Sequence, residues 1–169
     1  GGKIEDLDRK ILEQLKNQSK LHITDYFTEL YHLFKISALR ETYEETGLFF
    51  LKSGNTLDES TLKKFYNVPS FQELARDFDM AYEEVMELAR IVTIPEIKVR
   101  FDTQFFVIHC QPLTTLNMFK GLENSASLHD IYDLQINLAE SSSYMWANPL
   151  QLIRMCVKEK IKLAPPQYI

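Results

Sequence analysis

Between Asp25 and Leu51 the chain spells out a long helix, a stop and a strand in direct succession. This feature constrains the fold most. Thr24 or Asp25 is suited to cap a helix, and the pattern that follows stays helical to about Thr46. Tyr31, Phe34, Ala38 and Thr42 are expected to give that helix a continuous inward face. Gly47 is placed to end it, because glycine alone enters the left-handed C-cap conformation without a steric cost. The apolar run Leu48 to Leu51 then reads as a short strand. A helix end is thus brought sharply against a sheet.

The chemistry-bearing residues lie at that same helix end. Glu41, Glu44 and Glu45 stand at i, i+3 and i+4, so they share a helix face. Like charges at this spacing repel, and carboxylates near a helix C-terminus oppose its dipole. Arg40 can offset part of that repulsion by pairing with Glu44 four residues on. A hard divalent cation, Mg²⁺ or Mn²⁺, would offset the rest through all-oxygen ligation. The competing reading is a solvated, glutamate-rich surface with no ligand.

The remainder of the chain reads as a mixture of helices and short strands. A first helix is expected over 4–18, with Ile4, Leu7, Ile11 and Leu15 as its apolar stripe. Residues 52–58 read as a loop, and 57–92 as helical, divided at Val68-Pro69-Ser70. Phe71, Leu74, Phe78, Val85, Leu88 and Ala89 are expected on its buried side. Pro95 closes that region. A strand is expected over 99–110, a variable loop over 111–130, and weaker strands over 131–137 and 141–147. Asn148-Pro149 is suited to start a helix reaching about Ile161, with Leu150, Ile153, Cys156 and Val157 as its face. Phe101, Phe105, Phe106 and Trp146 are expected in the core. Arg100 and Asp102 point to one side of their strand and could pair with each other or line a cleft, and the structural reading is favoured.

With 169 residues, 45% hydrophobic and 25% charged, the chain has the composition of one globular domain. Its net charge of -5 supplies no field for DNA, although a bound cation would reverse the local sign for an anionic substrate. Cys110 and Cys156 form no motif and read as reduced thiols. His22, His32, His109 and His129 have no zinc spacing, and no nucleophilic serine or cysteine signature is present. No membrane insertion is expected. The opening Gly1-Gly2-Lys3 and the final Pro166-Gln167-Tyr168-Ile169 read as the ends of a segment from a longer protein.

The stretch Arg40-Glu41-Thr42-Tyr43-Glu44-Glu45-Thr46-Gly47-Leu48 resembles the second half of the Nudix box, R-E-U-x-E-E-x-G-U, with Thr42 departing at the first aliphatic position. The first half, G-x5-E, is not at its usual offset, where Tyr26 and His32 stand. Gly2 and Asp8 fit it instead, with Asp for Glu, so the box is interrupted by an insertion over about 9–30. Such an interruption is similar to that of the acyl-coenzyme A diphosphatase branch. Arg100-Phe101-Asp102-Thr103-Gln104-Phe105-Phe106 resembles the R-F-D-T-x-F-F strand of that branch, and Leu163-Ala164-Pro165-Pro166-Gln167 its L-A-P-P-Q segment. Ala139-Glu140, followed by Tyr144 and Trp146, resembles its downstream glutamate. Val92-Thr93-Ile94-Pro95 stands where the branch has W-x-T-P, and lacks the Trp.

The resemblance implies an α/β fold: a Nudix-type α/β/α sandwich around a mixed sheet, without its N-terminal strands in this segment. It would occupy 1–169 as a single partial domain, with helical insertions over about 9–30 and 57–92. It implies Mg²⁺ or Mn²⁺ held by Glu44 and Glu45, with Glu41 a further ligand or the water-activating base. Glu140 is the alternative base. Arg40 would hold the glutamates in place, and Asp8 stays outside the metal set. The implied substrate is a small diphosphate, coenzyme A or an acyl-coenzyme A, cleaved to phosphopantetheine and adenosine 3',5'-bisphosphate. Nucleotide sugars, dinucleoside polyphosphates and capped RNA are alternatives within the class, and a non-catalytic Nudix-like binding module is the alternative outside it. The branch implies a peroxisomal or mitochondrial location.

Overall fold

The computed structural model describes residues 3–18, 21, 23–52, 60, 64–65, 70–96, 98, 100–109, 115–117, 145–158 and 160–161. They form a mixed α/β arrangement of helices with short antiparallel strand pairs. Helix α1 runs Asp6–Asn17. Its first turn carries Asp6 and Asp8, as the positive end of the helix dipole favours, and the Asp8 carboxylate accepts the Glu5 N–H at 2.8 Å. Ile11 and Leu15 are buried as the spacing predicts, while Ile4 and Leu7 only pack partly against the core. Leu12 and Asp8 complete the buried face.

Helix α2 spans Tyr26–Thr46 and keeps both of its predicted ends. The Asp25 carboxylate accepts the Thr28 N–H at 2.9 Å, and Gly47 sits at φ 70° with its N–H donating to the Tyr43 carbonyl at 2.7 Å. Its inward face differs from the expected one. Tyr31, Phe34, Ala38 and Thr42 are half-buried, and Leu33, Lys35, Ile36, Ser37, Leu39 and Arg40 are buried. The reason is that α2 is enclosed from more than one side. Arg40 meets α1, Lys35 meets Tyr82, and Tyr31 meets Phe106. A single apolar stripe therefore does not describe it.

Strand β1, Leu48–Phe50, follows Gly47 directly and is buried throughout. Leu51 continues it through an antiparallel bridge to Met80. On the other edge β1 pairs with a strand at Thr115–Asn117, with Phe49 opposite Leu116. That partner lies inside the expected 111–130 loop. Three residues, two of them polar, carry no legible alternation. Phe49 anchors an aromatic cluster, with ring centroids 5.8–6.5 Å from Phe71, Phe65 and Tyr43.

The helical reading of 57–92 holds over α3, Phe71–Asp77, whose N-cap is Ser70. Phe71 and Leu74 are buried there as expected. Residues 53–59, 61–63 and 66–69 lie outside the described ones, Pro69 among them. Beyond α3 the reading fails. A single 3-10 turn occupies Tyr82–Glu84, and Met86–Val92 is a strand, β2, not a helix. Its sequence is rich in helix-favouring Met, Glu, Leu, Ala and Arg, but antiparallel pairing with β3, Asp102–Val107, overrides that propensity. Numbering β3 in this way makes the Thr115–Asn117 strand β4.

A bulge at Leu88 interrupts the β2–β3 register between Glu87 and Ala89, and Leu88 is exposed, not buried. Phe101 and Trp146 are likewise exposed, against the expectation of core positions, and Phe105 and Phe106 are half-buried. Arg100 and Asp102 do not pair with each other. Asp102 accepts two bonds from Arg90, at 2.8 and 2.6 Å, and Arg100 donates to the Pro95 carbonyl at 3.1 Å. Both contacts brace the hairpin.

Helix α4, Pro149–Val157, starts as predicted, with the Asn148 side chain accepting the Leu150 N–H at 2.9 Å. Its apolar face is not buried: Leu150, Ile153 and Val157 are exposed and Cys156 is half-buried. The expected 131–137 strand, Cys110 and the 163–166 segment lie outside the described residues, and 145–147 is not a strand. No helix among the described residues is long and apolar enough to cross a membrane.

One pH response follows from the packing of α2 on the 3-10 turn. The His32 ring nitrogen Nδ1 is hydrogen-bonded to the Tyr82 hydroxyl. Burial, then the charges of Lys35 and Lys16, hold His32 below the ordinary histidine range. Between that depressed value and about 6.5 the unfolded chain binds the proton and the folded one does not. Stability is therefore expected to fall as pH drops from 7.5 to 5.5. His32→Phe should flatten the dependence of the denaturation midpoint, and an equal slope in both proteins would disprove it.

Candidate functional site

The last two turns of α2 are organised by one buried cation. Arg40 is only 1% exposed, and Asp8, contributed by α1, is 0% exposed. Their pairing is direct: Nε donates to Asp8 Oδ1 at 2.9 Å, and Nη2 reaches Oδ2 at 3.5 Å. Nη2 also donates to the Lys3 carbonyl at 3.0 Å and contacts Ser37 Oγ at 3.4 Å. Nη1 faces the other way, toward the helix end. It lies 2.8 Å from Glu41 Oε1 and 2.7 Å from Glu44 Oε2. The planar guanidinium fork suits this divided role, which a lysine point charge could not fill.

The electrostatics are consistent with that geometry. Burial disfavours the charged guanidinium, but the hydrogen bond to Asp8 and the charges of Asp8, Glu44 and Glu41 outweigh it, so Arg40 stays above its ordinary range. The Glu44 carboxyl is held above the usual carboxylate range. Burial is the main cause, Glu41 and Glu5 add to it, and Arg40 opposes it. Arg40 opposes more strongly than Glu41 or Glu5 adds, so burial is what leaves the Glu44 carboxyl raised.

The structure brings Glu41 and Glu44 together on Arg40. Glu41 is half-buried, and Glu44 and Glu45 are exposed. Arg40 takes one oxygen of Glu41 and one of Glu44 and does not engage Glu45. The donors not engaged by Arg40 are carboxylate oxygens, the right type for Mg²⁺ or Mn²⁺. In donor chemistry the residues fit such an ion, with Glu44 and Glu45 as the exposed pair and Glu41 one helical turn behind Glu45. Among the described residues, no group of three or more His, Cys, Asp or Glu side chains is assembled to hold a metal. Glu140, the alternative base, and Gly2 lie outside the described residues.

Comparison with protein-family models, with curated proteins and with solved structures returned no match.

Asp8, Glu41, Glu44 and Arg40, read from sequence as parts of one interrupted motif, are neighbours in space. What the sequence did not indicate is the supporting set: the Lys3 carbonyl, Ser37, and Glu5 at 4.0 Å from Arg40. Ser37 precedes Arg40 by three residues, so helical spacing is the signal that would have found it. A backbone carbonyl leaves no such signal. His32, which stands where an uninterrupted box would have its glutamate, lies against Tyr82.

Proposed function

We propose that the protein is a metal-dependent diphosphatase of the Nudix type, with an α/β/α sandwich fold, acting on coenzyme A or an acyl-coenzyme A. One observation supports the reading most. Arg40, buried against Asp8, grips Glu41 and Glu44 at a helix end closed by Gly47. A solvated glutamate-rich surface has no need of a fully buried arginine behind it.

In this reading Glu44 and Glu45 hold Mg²⁺ or Mn²⁺. The chemistry such an ion supplies when bound is neutralisation of diphosphate charge and a lowered pKa for bound water. Glu41 or Glu140 accepts the proton of the attacking water, a role that contributes about 10²–10⁴-fold in rate. Arg40 positions: its hydrogen bond to Glu44 and its ion pair with Glu41 each hold one oxygen of those carboxylates. The products are phosphopantetheine and adenosine 3',5'-bisphosphate, and the proposed location is a peroxisome or mitochondrion.

The test is hydrolysis of coenzyme A with and without Mg²⁺ or Mn²⁺. The expected result is phosphopantetheine release that requires the metal. Turnover of nucleotide sugars but not of coenzyme A would keep the chemistry and discard this substrate. No turnover of either would discard the enzyme and leave a binding module.

A further inference from the structure

Thr46 is the last residue of α2, and its hydroxyl makes two bonds of different kinds. It donates to the Thr42 carbonyl one turn earlier in the helix, and it accepts the Leu48 N–H at 3.3 Å. Between Thr46 and Leu48 lies Gly47, at φ 70°. Glycine has the widest choice of backbone conformation, so this is the point at which the chain is least constrained by its own geometry. The Gly47 N–H closes the helix with a bond to the Tyr43 carbonyl, the simpler form of the left-handed stop. That form does not engage the N–H of the following residue. Leu48 opens β1 and is buried, so its N–H needs an acceptor within the protein. The Thr46 hydroxyl provides one. A single side chain thus holds the helix on one side of the glycine and the strand on the other.

The glutamates depend on this junction unequally. Arg40 holds one oxygen of Glu41 and one of Glu44, and it does not engage Glu45. Glu45 is exposed and directly precedes Thr46, so the backbone of the last turn sets the direction in which it leaves the helix. We infer that Thr46 is a positioning residue for the metal-ligand pair. Its hydroxyl fixes the end of α2 against β1, and through that backbone it fixes where the Glu45 carboxylate stands relative to Glu44. Thr46 itself is not a ligand. The inference rests on the diphosphatase reading, which gives Glu44 and Glu45 one ion to share. Thr42 is the natural comparison. Its hydroxyl makes a similar bond, to the Ala38 carbonyl at 2.8 Å, but both ends of that bond lie inside α2. Losing it leaves the junction with β1 intact. Groups that orient a metal ligand without touching the ion typically govern affinity by about 10–100-fold. Thr46 acts through the backbone and not on the carboxylate, so the lower end of that range applies.

The probe is Mn²⁺ alone, titrated into the folded protein without substrate and followed by loss of the free-ion electron paramagnetic resonance signal. Thr46→Val keeps the shape of the side chain and deletes the hydroxyl. It is expected to bind Mn²⁺ about tenfold more weakly than the parent. Its Leu48 amide is expected to exchange faster with solvent deuterium. Thr46→Ser retains the hydroxyl and is expected to restore both properties. Thr42→Val is expected to bind Mn²⁺ like the parent. Circular dichroism at the temperature of the titration establishes that each variant is folded, which separates a loss of affinity from a loss of structure. Equal affinity in Thr46→Val and the parent would overturn the role of Thr46 and leave the metal site standing. An equal weakening in Thr42→Val would do the same. A parent that binds no Mn²⁺ would overturn the diphosphatase reading, and this inference with it.

Discussion

Arg40→Met is expected to be the most destabilising single change at this helix end. It strands the Asp8 carboxylate, which is fully buried and loses its principal partner. Removing one member of a buried ion pair typically costs about 3–5 kcal/mol. Urea denaturation should register a loss of this order. The double variant Asp8→Leu/Arg40→Met should recover much of it, since replacing both members by apolar side chains is often close to neutral. Recovery of stability need not bring recovery of activity, because Glu41 and Glu44 would have lost the group that fixes them. If Arg40→Met unfolds at the same urea concentration as the parent, the buried pair is not holding α1 to α2.

Glu45→Gln should produce the opposite pattern: a large loss of turnover with almost no loss of stability. Glu45 is exposed and outside the grip of Arg40, so its replacement belongs to the surface class, within about 0.5 kcal/mol of neutral. In the proposed reading it is a metal ligand, and it would supply a full negative charge that an amide cannot. Metal-dependent hydrolysis of coenzyme A is expected to fall to background, while thermal unfolding is unchanged. Near-normal turnover in Glu45→Gln would remove it from the ligand set. The two variants together separate a residue that builds the site from one that serves in it.

The sequence disclosed most where local chemistry decides local structure. Asp25, Gly47, Ser70 and Asn148 act at helix ends through bonds to backbone groups a few residues away, so the boundaries they set are legible. The Arg40, Glu41, Glu44 cluster was legible for the same reason, since its members lie within five residues on one helix. Met86–Val92 was not legible. Its residues favour a helix, and only pairing with Asp102–Val107, far along the chain, makes it a strand. The inward face of α2 was misjudged because a helix enclosed by several neighbours has no single stripe. Phe101 was misplaced because it lies just outside β3, where strand alternation no longer governs burial. For the candidate site, the missing information was tertiary: that Asp8 of α1 and the Lys3 carbonyl just before that helix satisfy the inner half of the guanidinium.

The contact between Asp8 and Arg40 also relieves the polypeptide between α1 and α2 of setting the register of the two helices by its length. Two segments are held in register by a side-chain clasp 32 residues apart in sequence. The tether between them sets Leu21 and Ile23 against the core and Asp25 at the α2 N-cap, and its closure entropy grows by only about 0.6 kcal/mol for each doubling of its length. Lengthening that tether therefore costs little in closure, and the glutamates keep their place through the Asp8–Arg40 clasp. A motif of this kind tolerates being split, because its parts are joined in space and not by adjacency.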